Sequence, residues 1–244
     1  MSVYVPNELI LLLSVLVLYS GVLLWFRLFG VQGLCGFTVL ATIAANIEVL
    51  ILVDAFGMEQ TLGNVLFAST FLVTDILSEV AGKRAARRAV SMGILTSVTF
   101  IVVSQSWLLY TPSLNDWVFP SIQTVFSNTP RLVISSLAVY AIVQSFDVWC
   151  YHRWWRFTAR RSGDSKRFLW LRNNGSTLLS QLLNAVLFNV FAFAGVYDWP
   201  TFLSIIGASY VIFIFTSLLD TPFVYWARTL SEKHALAVRE ENSL

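Results

Sequence analysis

GNVLFASTFLVTDILSEVAGKRAARRAVSMG, residues Gly63–Gly93, opens with an apolar run and ends in a basic cluster. The run is apolar enough to enter a bilayer, yet Asp75 and Glu79 stand well inside it. Lys83, Arg84, Arg87 and Arg88 follow at once. An ionisable side chain at the centre of a membrane helix costs about 2.5–3.5 kcal/mol on insertion scales, which makes it a functional residue by default. Asp75 and Glu79 are four apart and so share one helix face. That pair and its basic exit fix how the rest of the chain is placed.

Of the 244 residues, 57% are hydrophobic and 12% charged, against about 25% charged in soluble domains. Runs of about 20 apolar residues, each able to cross a hydrocarbon core of about 30 Å as a helix, recur along the whole length. The expected fold class is all-α: a polytopic integral membrane helix bundle, one transmembrane domain over residues 1–244. The alternating segments of a β-barrel do not occur in the sequence. Cys35 and Cys150 lie in apolar runs and read as small buried hydrophobes, with neither zinc spacing nor a disulfide framework. No basic n-region or cleavage site precedes the first run, so it is read as a retained span. No phosphate-binding loop and no HExxH helix is present, and His152 and His234 fall at or beyond the inner boundary. The chain is therefore expected not to be an enzyme, with no catalytic residue, no metal and no cofactor.

Seven spans are predicted: about Leu9 to Phe29, Leu34 to Ala55, Leu62 to Val80, Val90 to Tyr110, Leu132 to Tyr151, Ser176 to Tyr197 and Phe202 to Trp226. The stretch TPSLNDWVFPSIQTVFSNTP (111–130) is expected to be an exposed connection with one interfacial turn. If the spans alternate, the basic residues gather on one side. These are Arg27; Lys83, Arg84, Arg87 and Arg88; Arg153, Arg156, Arg160, Arg161, Lys166, Arg167 and Arg172; and Arg228, Lys233 and Arg239. Arg131 falls on the other, with Glu8, Glu59, Asp116 and Asp198. The positive-inside rule then puts the C-terminus in the cytoplasm. Were the first span not to insert, six spans with both ends inside would remain. Trp107, Tyr110, Trp117, Tyr197 and Trp199 mark the outer headgroup level, and Trp149, Trp154, Trp155 and Trp170 the inner one.

Polar side chains cluster on three spans. The third carries Thr70, Thr74, Asp75, Ser78 and Glu79. The fifth ends with Gln144 and Asp147. The sixth opens with Arg172, Asn173, Asn174, Ser176 and Thr177 and continues with Gln181 and Asn184. Asn46 and Glu48 lie on the second, and Asp220 on the seventh just before Pro222. Such groups often only join helices, at about 0.6 kcal/mol per hydrogen bond. The carboxylates can also pair structurally with Arg87, Arg88 or Arg172, and the basic loops can simply face anionic lipid. A scaffold, however, would scatter its polar residues rather than place three clusters at one depth. The substrate-binding candidates are Asn46, Asp75, Glu79, Gln144, Asp147, Asn174, Thr177, Gln181 and Asn184, with Arg87 and Arg172 as gating or salt-bridge residues. Carboxylates only accept hydrogen bonds, whereas Asn and Gln both donate and accept. With walls such as Phe71, Phe146 and Phe188, the mixture suits a flat heterocycle with N–H donors and a carbonyl.

At these residues the chain resembles the queuosine precursor transporters, also called the vitamin uptake transporter family. The resemblance is carried by GNVLFASTFLVTDILSEVAGKRAARRAV at Gly63–Val90, QSFDVW at Gln144–Trp149 and WLRNNGSTLLSQLLNAVLFNVFAFAGV at Trp170–Val196. It implies a bacterial inner-membrane protein importing 7-deazaguanine precursors of queuosine, in the cyano or aminomethyl form, with no nucleic-acid partner. It further implies a fold similar to the substrate-binding subunits of energy-coupling-factor vitamin transporters. The family's motif residues fall on Asp75, Glu79, Gln144, Asp147, Arg172, Asn173, Asn174, Ser176, Thr177 and Gln181. The chain departs from the family at Asn184, where members usually carry an aspartate. The alternative is a membrane subunit binding another vitamin-like molecule and working with a separate energising module. A homo-oligomer is left open.

Overall fold

In the computed structural model, which describes residues 6–127, 130–162, 168–193, 195 and 198–241, the chain is a bundle of long helices with one small hairpin. Lys166, Arg167 and Tyr197, and the side chains of Glu59, Arg131, His234 and Arg239, lie outside the described residues. The order is α1 (Asn7–Glu48), β1 (Leu52–Ala55), β2 (Met58–Thr61), α2 (Gly63–Val80), α3 (Lys83–Trp107), α4 (Phe119–Ser127), α5 (Pro130–Ser162), α6 (Leu169–Phe193) and α7 (Trp199–Glu241).

α1 is two antiparallel arms, 7–29 and 31–48, broken at Gly30, whose φ of 58° and ψ of −140° suit only glycine. Trp25 packs into the notch left by Gly33 and Gly36 and meets the Phe37 ring at 6.3 Å. A Cβ on Gly33 would sit 2.2 Å from the Trp25 carbonyl oxygen and 2.9 Å from Phe29 Cβ. Gly33→Ala is therefore expected to lower the thermal stability of the detergent-solubilised protein by about 1–3 kcal/mol, the usual cost of overpacking. An unchanged unfolding midpoint would show that the arms can part without cost.

The predicted second span, Leu34 to Ala55, runs too far. The helix stops at Glu48, and Leu52–Ala55 pairs antiparallel with Met58–Thr61. Phe56 and Gly57 both have positive φ (55° and 71°), the two-residue turn that matches strand twist. Asn7 Nδ2 donates to the Asp54 carbonyl (2.8 Å) and the Phe56 N–H donates to Glu8 (2.9 Å), so the start of α1 lies against this hairpin. The loop 111–130 contains α4, whose start is capped by Asp116, accepting from the Val118 and Phe119 N–H groups at 2.7 and 2.9 Å. Asp198 does the same before α7: the Thr201 hydroxyl and N–H hold its carboxyl below the ordinary range.

The bundle is inverted relative to a soluble protein. Leu9, Val17, Leu24, Leu95, Val102 and Phe215 lie exposed on its flanks, while Asp75, Gln144, Asp147, Arg172 and Asp220 are buried. An apolar exterior, with the costly polar groups held inside among the packed helices, is what a lipid solvent selects. Among the described residues, five helices are long and apolar enough to cross a membrane: Asn7–Glu48, Gly63–Val80, Lys83–Trp107, Leu169–Ala192 and Trp199–Lys233. α5, 33 residues long, packs against α6, α3 and α2.

α2 is the hub, packed against α1, α3, α5 and α7 with 14 of its 18 residues buried. The bend of α1, the Gly82 corner between α2 and α3, the end of α5, the start of α6 and the last turns of α7 share one end of the bundle, hereafter the basic end. Arg27, the Lys83–Arg88 cluster, Arg153, Arg156, Arg160, Arg161, Arg228 and Lys233 are placed there. Glu8, Asp54, Asp116 and Asp198 are at the other.

Candidate functional site

Asp75 is completely buried on the α2 face that meets α5 and α6. Its Oδ2 accepts from the Thr177 hydroxyl of α6 at 2.9 Å, and its Oδ1 has no partner. One turn earlier, Gln144 of α5 is held by two threonines of α2. Its Nε2 donates to Thr70 Oγ1 at 2.6 Å, and Thr74 Oγ1 donates to its Oε1 at 3.3 Å. Asp147 follows Gln144 by three residues, fully buried, with both carboxylate oxygens unpartnered. It lies within electrostatic reach of Asp75. Gln181 and Asn184 continue the Thr177 face of α6 towards the other end, the Gln181 Oε1 again without a partner.

Nearer the basic end the charges are matched. Glu79, one turn beyond Asp75, receives Arg172 Nη2 at 2.7 Å to each oxygen and Nε at 3.1 Å. The Tyr151 hydroxyl donates to it at 2.8 Å, and Arg228 Nη1 lies 3.4 Å away. The Arg172 guanidinium also sits 4.5 Å from the centre of the Trp155 ring. This cluster ties α2, α5, α6 and α7 together. A third carboxylate, Asp220 of α7, is buried and accepts from Asn173 Nδ2 at 2.6 Å. It too is within electrostatic reach of Asp75.

Of the candidates read from the sequence, Asp75, Gln144, Asp147, Thr177 and Gln181 come together between α2, α5 and α6. Glu79, one turn along the same helix, lies in the ion cluster with Arg172. Asn174 turns towards α7, donating to Thr221 Oγ1 at 2.7 Å. Asn46 joins α1 to α3, donating to Ser97 Oγ at 3.2 Å. Arg87 is exposed on the first turns of α3. Asn184 lines a cavity of about 30 Å³ with Phe67, Ser136 and Phe188, room for about two waters. Of the expected aromatic walls, Phe71 and Phe188 lie beside this region, whereas Phe146 packs on Trp149 (5.8 Å). Asp220, Tyr151 and Arg228 were not among the candidates. An aspartate two residues before a proline within an apolar run was the available signal for the first.

Costly acceptor groups from separate helices, converging inside an apolar bundle, define a multi-pass membrane protein that handles a polar solute. Residues 61–227 match the family described as "Putative vitamin uptake transporter". A protein of Bacillus subtilis (strain 168) named "Probable queuosine precursor transporter" is 37% identical over 209 residues, covering 86% of this chain and 89% of that one. The chain belongs to this vitamin uptake transporter family. No solved structure matches it.

Proposed function

We propose that this protein imports a 7-deazaguanine precursor of queuosine, in the cyano or aminomethyl form, binding the base between α2, α5 and α6. The observation that carries the reading is the chemistry of the unpartnered atoms. Asp75 Oδ1, both Asp147 oxygens and Gln181 Oε1 are all acceptors, buried and without donors. A guanine-type edge offers adjacent N–H donors from a ring nitrogen and an exocyclic amine, the complement of a carboxylate. The name of the Bacillus subtilis relative supports the same substrate class. A cavity of about 30 Å³ beside Asn184, lined also by Phe67 and Phe188, adjoins these acceptors on this reading.

Seven crossings are counted on this reading: the two arms of α1 on either side of Gly30, the four other long apolar helices, and α5. The charge difference between the ends supports an orientation with the basic end and the C-terminus in the cytoplasm, at the inner membrane. On this orientation the Glu79 cluster is the cytoplasmic closure, with Arg172 as its latch, and the acceptors lie just outside it. The likeness to energy-coupling-factor substrate-binding subunits belongs to the same reading.

The test uses cells unable to make the precursor. Supplying the labelled base with this protein expressed is expected to restore queuosine in tRNA and accumulate label. Cells making the protein at normal level in the membrane, yet showing neither, would refute the assignment.

A further inference from the structure

At the basic end, outside the polar cluster, a groove of about 880 Å³ opens between the bend of α1, the last turn of α2 and the end of α7. Its walls are apolar, with Phe26, Leu28 and Phe29 on one side and Leu230 on the other. Arg27 and Lys233, both exposed, stand on opposite banks, and no acid is among the described residues lining it. The acid next to Lys233, Glu232, is engaged by Arg228 at 3.5 Å. The space beside Gly30 is open, since a Cβ built there meets nothing within 4 Å. Leu28 and Phe29, each 61% exposed, continue the apolar wall onto the lipid-facing flank.

We infer that this groove binds an anionic phospholipid, its phosphate between Arg27 and Lys233 and its acyl chains along Phe26, Leu28 and Phe29. The volume is of the size that holds small ligands. An apolar trough opening onto the bilayer suits chains, and paired cations at the headgroup level suit a phosphodiester. A soluble anion would use the cations and leave the trough unfilled. The site is separate from Asp75 and Asp147, so its occupancy is read without any transport measurement.

The purified full-length protein, reconstituted in mixed phosphatidylcholine and phosphatidylglycerol, is examined by native mass spectrometry for retained lipid. Phosphatidylglycerol is expected to be kept in preference to phosphatidylcholine, and excess glycerophosphate is expected not to displace it. R27Q/K233Q is expected to weaken the preference by about thirtyfold, given the usual contribution of two basic residues near an anionic surface. R27K, which keeps the charge, is expected to retain it. An unchanged unfolding midpoint of R27Q/K233Q in pure phosphatidylcholine separates a lost site from a lost fold. Equal retention of the two lipids by the wild type would overturn the inference, as would a preference that survives R27Q/K233Q. Displacement by glycerophosphate or inorganic phosphate would do the same, by showing a site for a free anion.

Discussion

Arg172→Gln is expected to cost about 3–5 kcal/mol of stability and to abolish uptake. Arg172 is fully buried, and its guanidinium makes three contacts of 2.7–3.1 Å to Glu79. Without it the Glu79 carboxylate, only 4% exposed, keeps the Tyr151 hydroxyl and an Arg228 contact of 3.4 Å. Neither replaces a two-pronged guanidinium. The penalty arises from an under-compensated buried charge rather than from the pair's own attraction, so removing both charges should be milder than removing one. E79Q/R172Q is accordingly expected to recover most of the unfolding midpoint in detergent while remaining inactive, because the closure is lost. A single variant as stable as the wild type, or a double variant no better than the single, would contradict this account of the cluster.

How far the sequence could be read depended on whether a signal was local. The helix carrying Asp75 and Glu79 was predicted as about Leu62 to Val80 and is found at Gly63–Val80, because an apolar run bounded by Gly63 and Gly82 leaves little choice. Composition failed where polarity and helix ends part company. The sixth span was expected to open near Ser176, but α6 starts at Leu169. Arg172, Asn173 and Asn174 precede the apolar run that sets the span, and they lie in the first turns of α6 with Glu79, Asp220 and Thr221 of other helices as partners. The opposite error occurred at Leu52–Ala55, where apolar residues that extend a hydropathy plot form a strand closed by the Phe56–Gly57 turn.

The site followed the same division. Asp75, Gln144, Asp147 and Thr177, each a costly polar group on a regular helical face in the sequence, are brought together between α2, α5 and α6. Tyr151 and Trp155 read as interfacial aromatics, and only the fold turns them towards Arg172. Asp220 stands alone on its own helix, and its partner Asn173 is 47 residues away in sequence. No periodicity links two such residues; packing of α6 on α7 does. Glu79 illustrates the reverse case. Its spacing from Asp75 put it in the binding set, while the arginines that claim it come from α6 and α7.

The site between α2, α5 and α6 has an arrangement that folding alone would not favour, and this separates binding from structure experimentally. Asp147 is fully buried with no well-formed hydrogen bond to either carboxylate oxygen, beside Asp75 and Ser180 and within reach of Asp220. A buried carboxylate with so few donors opposes stability. Residues kept at such a cost are expected at functional sites. Asp147→Asn preserves the volume, removes the repulsion from Asp75, and supplies an amide N–H for its unpartnered Oδ1. It is therefore expected to raise the unfolding midpoint. Uptake moves the other way. A carboxylate that accepts two N–H groups of the base contributes about 1.5–3 kcal/mol per hydrogen bond, and an amide can accept only one and turns a donor against the other. The loss in labelled-base uptake is expected to be at least about a hundredfold, at equal protein in the membrane. Wild-type uptake by D147N would take Asp147 out of the binding site. Lower stability together with lower uptake would make it a structural residue, and only a more stable, inactive protein fits a carboxylate held ready for substrate.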